Sequence, residues 1–250
     1  MRGTRRAQSA LGTFVNQALG VLGLKLSRTA AANAAGLYST LFNNGRVTEL
    51  DGLVACARGI PGMLSEESGK FLFALCHMQQ LEGDVVEIGS WQGYSTSYLA
   101  RAVAESGRGR MYAIDHFGGN VGKQALYRVK EPDLSDLERN FRNNMSRLGL
   151  DSVVRLLPVS SEEAAAQLRR ESARIRFLFI DGDHSRQGVQ RDVDLFFPLL
   201  RTGAIVVFDD CSPSAPGVIE VIDELLDRNV FDRAFAYPNS FVATVGRELG

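Results

Sequence analysis

Cysteine is scarce in this chain, with Cys56, Cys76 and Cys211 the three examples among 250 residues. Their odd number and wide separation, with no Cys-x-x-Cys pair, exclude a disulfide framework and a zinc ligand set. A reducing cytoplasm is the expected compartment. Histidine is equally rare, so imidazole chemistry has only His77, His116 and His184 to draw on. No stretch approaches the roughly 20 consecutive apolar residues that a membrane-spanning helix requires. The segment 11–24 follows Arg5 and Arg6 in the manner of a secretion signal, but Asn16 and Gln17 interrupt it and Lys25 and Arg28 follow. Acidic residues are missing altogether before Glu49, whereas Arg2, Arg5, Arg6, Lys25, Arg28 and Arg46 all precede it. The rest of the chain then holds 22 basic against 29 acidic residues, a poor match for nucleic acid.

What is present is a 45% hydrophobic, 23% charged chain, long enough for one α/β domain with an appendage. Leu11, Phe14, Val15, Ala18, Leu19 and Leu22 recur at helical spacing and predict an amphipathic helix flanked by positive charge. Its apolar stripe suits packing on the domain or on a sister subunit, hence a homo-oligomer, or peripheral contact with an anionic membrane. Residues 1–62 read as an N-terminal helical extension and 63–250 as the catalytic domain. Gly59, Pro61 and Gly62 break the pattern. Ser65 can then cap a helix reaching about Gln80, with Glu66 and Glu67 in its first turn.

Beyond Gln80, apolar runs at 85–88, 111–114, 153–157, 177–180 and 205–208 predict buried strands separated by helices. Alternation of this kind builds a doubly wound, mainly parallel, Rossmann-like sheet, because parallel neighbours need a crossover helix. A helix at 217–227 and runs at 234–237 and 241–245, joined through Pro238, Asn239 and Ser240, add a C-terminal antiparallel hairpin, for seven strands in all.

Such sheets bind ligands at their carboxyl edge. Glu87, Gly89, Ser90, Gly93 and Ser95 occupy the turn leaving the first strand, where glycines permit close approach and the next helix offers free amides. A turn of this kind also occurs for purely structural reasons. Asp115 ends the second strand, where a carboxylate can accept both hydroxyl protons of a ribose. A nicotinamide site would prefer Gly-x-Gly-x-x-Gly. The turn here reads Gly89-Ser90-Trp91-Gln92-Gly93, so S-adenosylmethionine is the better-matched nucleoside.

Asp181, Gly182, Asp183 and His184 follow the fourth strand, and Asp209 and Asp210 the fifth. On neighbouring strands about 4.8 Å apart, Asp181, Asp209 and Asp210 would converge. Either some are protonated or a cation sits among them, and an all-oxygen set favours Mg²⁺ over zinc. The alternative is that Asp210 faces solvent or caps a turn.

The run Glu87-Ile88-Gly89-Ser90-Trp91-Gln92-Gly93-Tyr94-Ser95-Thr96 resembles the first motif of class I methyltransferases, in their cephalosporin-hydroxylase-like and macrolide-sugar O-methyltransferase branch. The resemblance spans residues 64–245. It implies that Glu87 meets the methionine end of S-adenosylmethionine, Asp115 the ribose and Ser161 the adenine. It also implies a divalent ion on Asp181, Asp209 and Asp210, and a base at His184 or alternatively Asp183. Some relatives carry glutamate where Asp209 stands. The implied reaction is Mg²⁺-assisted methylation of a hydroxyl on a sugar or glycosylated small molecule, with an imidazole taking the proton near neutral pH. A nicotinamide oxidoreductase and a non-catalytic adenosyl-binding subunit are the rival readings. The polar segment 117–135 reads as a substrate lid carrying Lys123 and Arg128, or as a surface excursion.

Overall fold

The run Asp84–Ile88 is valine and isoleucine apart from Asp84 and Glu87, and Val85, Val86 and Ile88 are all shut away from solvent. A strand apolar on both faces needs cover on both, which is the condition of a parallel sheet between two helical layers. A computed structural model of the chain, describing residues 57–119 and 136–246, has that arrangement. Its elements are α1 (Glu66–Met78), β1 (Asp84–Ile88), α2 (Tyr94–Ser106), β2 (Met111–Ile114), α3 (Leu137–Arg147), β3 (Val154–Leu157) and α4 (Ser161–Arg170), followed by β4 (Ile175–Ile180), α5 (Arg186–Phe196), β5 (Leu200–Phe208), α6 (Pro216–Asp227), β6 (Phe231–Tyr237) and β7 (Ser240–Val245).

The seven strands form one sheet in the order β3-β2-β1-β4-β5-β7-β6. The first five are parallel, and β7 runs antiparallel to both β5 and β6. Successive side chains point to opposite faces, so the strands divide their residues between two cores. Val86, Ile88, Leu178, Ile180 and Phe208 join α4, α5 and α6, while Val85, Phe177, Phe179 and Val207 join α1, α2 and α3. Each large apolar side chain so buried contributes about 1.5–3 kcal/mol.

Register sets the carboxyl edge. Ile88 pairs with Ile114 and Ile180, Ile114 with Leu157, and Ile180 with Phe208. The residues that follow, Gly89, Asp115, Asp181 and Asp209, therefore leave the sheet side by side. Strand order reverses between β1 and β4, the place where an open α/β sheet parts to admit a ligand.

The expected fold class holds, and the elements depart from expectation mainly at their ends. The cap on α1 forms as read, with the Ser65 hydroxyl accepting from the Ser68 amide, but the helix stops at Met78 rather than near Gln80. Strand β4 starts two residues earlier than its apolar run, because Arg176 is inside the sheet at 0% exposure. Its guanidinium donates to the carbonyls of Gly83 (3.1 Å), Cys76 (2.9 Å) and Arg108 (3.2 Å). Strand β5 also starts early, at Leu200, and carries the exposed Arg201 and Thr202 before its apolar half. The 11–22 amphipathic helix, Cys56, Lys123 and Arg128 lie outside the described residues, as do all but the last residues of the 1–62 extension. Among the described residues no helix is long and apolar enough to cross a membrane.

Candidate active site

The turn leaving β1 is shaped by its glycines. Gly89 has φ of 90°, and a Cβ there would overlap the Asp181 carbonyl, so only glycine lets β1 and the end of β4 meet this closely. Gly93, also at φ 90°, caps α2, and its missing side chain leaves room for Met145 and Phe141. Ser90 and Ser95 are buried beside it. Asp115 ties this turn to β2. One carboxylate oxygen accepts from the Trp91 amide at 2.8 Å and the other from the Phe117 amide at 2.7 Å. Each oxygen keeps a further lone pair.

Glu87 points into the α2 side of the sheet at 0% exposure. Thr96 Oγ1 donates to its Oε2, while Oε1 has no hydrogen-bond partner. Burial pushes this carboxyl up to about 7, against the pull of the Ser95, Thr96 and Ser90 hydroxyls, and the charge of Asp115 adds to the rise.

One strand further along, the ends of β4 and β5 bring Asp181, Asp209 and Asp210 near one another, with His184 among them. His184 lies between two carboxylates, with Nε2 3.3 Å from Asp181 Oδ1 and Nδ1 3.0 Å from Asp210 Oδ2. Burial raises Asp181 to about 6, the facing imidazole opposing the shift. Asp209 rises to about 7 through burial first and the charge of Asp181 second. Asp210 has φ of 51°, a left-handed conformation that costs a non-glycine residue roughly 1 kcal/mol. Among the described residues no group of three or more His, Cys, Asp or Glu side chains is set, as placed, to hold a metal ion. The imidazole occupies the space between two of the three carboxylates.

The remaining candidates sit apart. Asp183 turns toward the start of α5, where its two oxygens accept from the Ser185 amide and hydroxyl, both at 3.0 Å. Ser161 is the first residue of α4, just past β3, with Ser160 as its cap. His116 takes the Gly118 amide on Nδ1, and His77 stacks on Phe73 on the far side of the domain.

The sequence pattern did not single out three polar residues that the fold brings here. Thr96 lies in the first turn of α2, facing Glu87, a position that helical periodicity could have flagged. Asp192, on α5, is 1% exposed beneath Gly182, and burial raises its pKa to about 6. Ser240 donates to Asp209 Oδ1 at 2.9 Å in a buried contact. No sequence signal announces that last pairing, because it depends on β7 lying next to β5.

Comparison with known proteins bears on the fold and the family. Residues 86–211, half of the chain and the segment from within β1 to Cys211, match the family described as a methyltransferase domain. Among solved structures, the chain is similar to the O-methyltransferase of tomaymycin synthesis from Streptomyces achromogenes, in complex with S-adenosylmethionine. The identity is 20% over 89% of this chain and 100% of that one, with a TM-score of 0.59. An O-methyltransferase from Bacillus cereus in complex with S-adenosylhomocysteine is 21% identical over 86% of this chain and 97% of that one, TM-score 0.56. A TDP-rhamnose 3′-O-methyltransferase of calicheamicin biosynthesis is 15% identical over 84% of this chain and 87% of that one, TM-score 0.54. Matched by that family's model over half of its length and similar in fold to these O-methyltransferases along most of the rest, the chain belongs to the methyltransferase domain family and carries the class I methyltransferase fold.

Proposed function

We propose that this protein moves a methyl group from S-adenosylmethionine to a hydroxyl of a sugar or glycosylated small molecule, with Mg²⁺ held by Asp181, Asp209 and Asp210. One observation carries the reading. Ser161, Asp115, the Glu87 to Gly93 turn, and the Asp181, His184, Asp209 and Asp210 cluster follow one another along a single edge, over β3, β2, β1, β4 and β5. At about 4.8 Å per strand that edge is about 19 Å long, the scale of an adenosyl donor laid end to end with its acceptor. The order runs from adenine and ribose to methionine and then to the acceptor.

The all-oxygen donor set suits a hard divalent ion in kind and number, and burial first, then the charges of neighbouring carboxylates, holds Asp181 and Asp209 toward the neutral form while no cation is there. A bound ion would supply positive charge against the ionising hydroxyl, and the donor supplies a methyl carbon on a sulfonium. The chain itself handles the proton. His184 accepts it from the acceptor hydroxyl, through Nε2, whose 3.3 Å contact with Asp181 is the longer of the two and is given up most readily. The oxygen forms its bond to the methyl carbon as the carbon–sulfur bond breaks, and the electron pair stays on sulfur. Asp183 is engaged by Ser185, which supports His184 over Asp183 as the base. Both neighbours named above as O-methyltransferases with bound adenosyl ligands support the donor, and the TDP-rhamnose enzyme supports a sugar acceptor.

A second reading has its own observation. Held between Asp181 and Asp210, His184 can serve as a base with no ion at all, since two carboxylates stabilise the imidazolium that forms. Calorimetric titration separates the two. Uptake of Mg²⁺ by the intact protein, lost in an Asp209→Ala, Asp210→Ala double variant, supports the metal reading. Adenosyl-ligand binding and sugar methylation without Mg²⁺ uptake support the histidine reading. Binding with no methyl transfer to any acceptor would make the protein a non-catalytic adenosyl-binding subunit.

A further inference from the structure

A carboxyl closed off from water must take its hydrogen bonds from the protein, and Asp192 has few to take. It lies on α5 at 1% exposure, with Oδ1 lacking a hydrogen-bond partner and Oδ2 against Gly182, where an added Cβ would stand 3.5 Å away. Burial raises this carboxyl, and the Ser161 hydroxyl, donating to it, is foremost among the groups that draw it back down. The residues beside this pair meet as well, Arg191 Nε standing 3.4 Å from Glu162 Oε1. Asp192 thus joins the loop after β4 to the start of α4. Ser161 itself is only half-buried, so a ligand on the carboxyl edge can reach it.

We infer that Asp192 is a positioning residue for the nucleobase end of the donor: by taking the one proton of the Ser161 hydroxyl it leaves Ser161 only lone pairs to offer, so that the site accepts from the amino group of adenine and rejects the keto oxygen of hypoxanthine. This inference rests on the adenosyl reading above, with the base at Ser161, and needs no metal ion. The physical case is one of counting. A serine left to itself is donor or acceptor as its partner requires, because its hydroxyl rotates. A buried carboxylate removes that choice, since it can only accept and an unmet oxygen carries the full cost of desolvation. A ligand that brings an acceptor to such a site leaves two acceptors facing each other, which is how a fixed hydrogen-bonding group discriminates more sharply than a shape does.

The test uses the full chain and two calorimetric titrants, S-adenosylhomocysteine and S-inosylhomocysteine, in which a keto oxygen replaces the adenine amino group. The quantity read is the ratio of the two affinities, beside the thermal midpoint, in the intact protein and in Asp192→Ala, Asp192→Asn and Ser161→Ala. The expected result is a preference for the adenosyl ligand that falls about tenfold in Asp192→Ala and in Ser161→Ala, and is kept in Asp192→Asn, whose amide oxygen still accepts the hydroxyl proton. An unchanged ratio in folded Asp192→Ala would overturn the role of Asp192 and leave the adenosyl reading standing. Equal weakening of both ligands would do the same, reducing Asp192 to ordinary packing. Should Asp192→Ala fail to fold, an unchanged ratio in Ser161→Ala overturns the inference by itself. An intact protein that binds neither ligand would remove the adenosyl reading and this inference with it.

Discussion

Glu87 shows how a single buried carboxyl sets the pH response of this domain. Its folded pKa of about 7 lies above the ordinary 4.5, so between those values the folded state keeps a proton that the unfolded state releases. The stabilising contribution is complete below about pH 4.5 and is lost as pH rises through about 7, a change on the order of 3 kcal/mol. The groups facing it are the Ser90, Ser95 and Thr96 hydroxyls and the charges of Asp115 and Asp181. Glu87→Gln should flatten the fall in melting temperature between pH 5 and pH 8, with a residual slope from Asp181 and Asp209, which shift the same way. Parallel melting curves for the two proteins would count against a protonated Glu87. His184→Ala is expected to lower turnover by about 10²- to 10⁴-fold while leaving S-adenosylhomocysteine binding intact, read by methyl-transfer assay beside calorimetry. A loss confined to binding would take the base role away from His184.

Elements, more than residues, decide how closely these groups meet. The first turn of α6 presses against the chain after β4, and a Cβ at Gly217 would fall 2.3 Å from the Arg186 nitrogen and 2.8 Å from the His184 carbonyl oxygen. Gly217→Ala should therefore push α6 away from α5 at a cost of about 1–3 kcal/mol, and shift His184 enough to reduce turnover more than donor affinity. Denaturant melts and steady-state kinetics together test this, and a variant with wild-type kcat would show that His184 tolerates the displacement. The elements that were legible in the sequence are those whose chemistry is local. Asp115, Asp181 and Asp209 could be placed at strand ends because each follows an unbroken apolar run, and Ser65 could be read as a cap from its two glutamates. The start of β4 was hidden by Arg176, since a charge inside a sheet is tolerated only when carbonyls from distant loops converge on it. Ser240 was hidden for a related reason. It reads as a turn residue, and its partner 31 positions earlier is brought near by strand order alone.

For the molecule as a whole, the two edges of the sheet carry different work. At the amino edge, Arg176 joins the end of α1, the start of β1 and the α2–β2 connection through three carbonyls, so its cationic head is solvated by backbone. Arg176→Met leaves those carbonyls buried and unpaired, and is expected to cost on the order of 3 kcal/mol or more in chemical denaturation, with donor affinity in the surviving folded fraction unchanged. An equally stable variant would mean that water replaces the guanidinium. The carboxyl edge, by contrast, tolerates buried carboxylates and left-handed backbone at Trp91 and Asp210, the kind of local cost that persists where a site must be held ready. The position of β7 also bears on how the protein is made. Synthesised after β6, it inserts between β5 and β6, so during translation β5 stays an open edge and Asp209 lacks its hydroxyl partner until residues 240–245 have emerged. The nascent chain can pair β1 to β5 before then, but the β5–β7 ladder and the bond from Ser240 to Asp209 close only once β7 has been made, so a ribosome stalled before β7 would display a sheet with one buried carboxylate still bare.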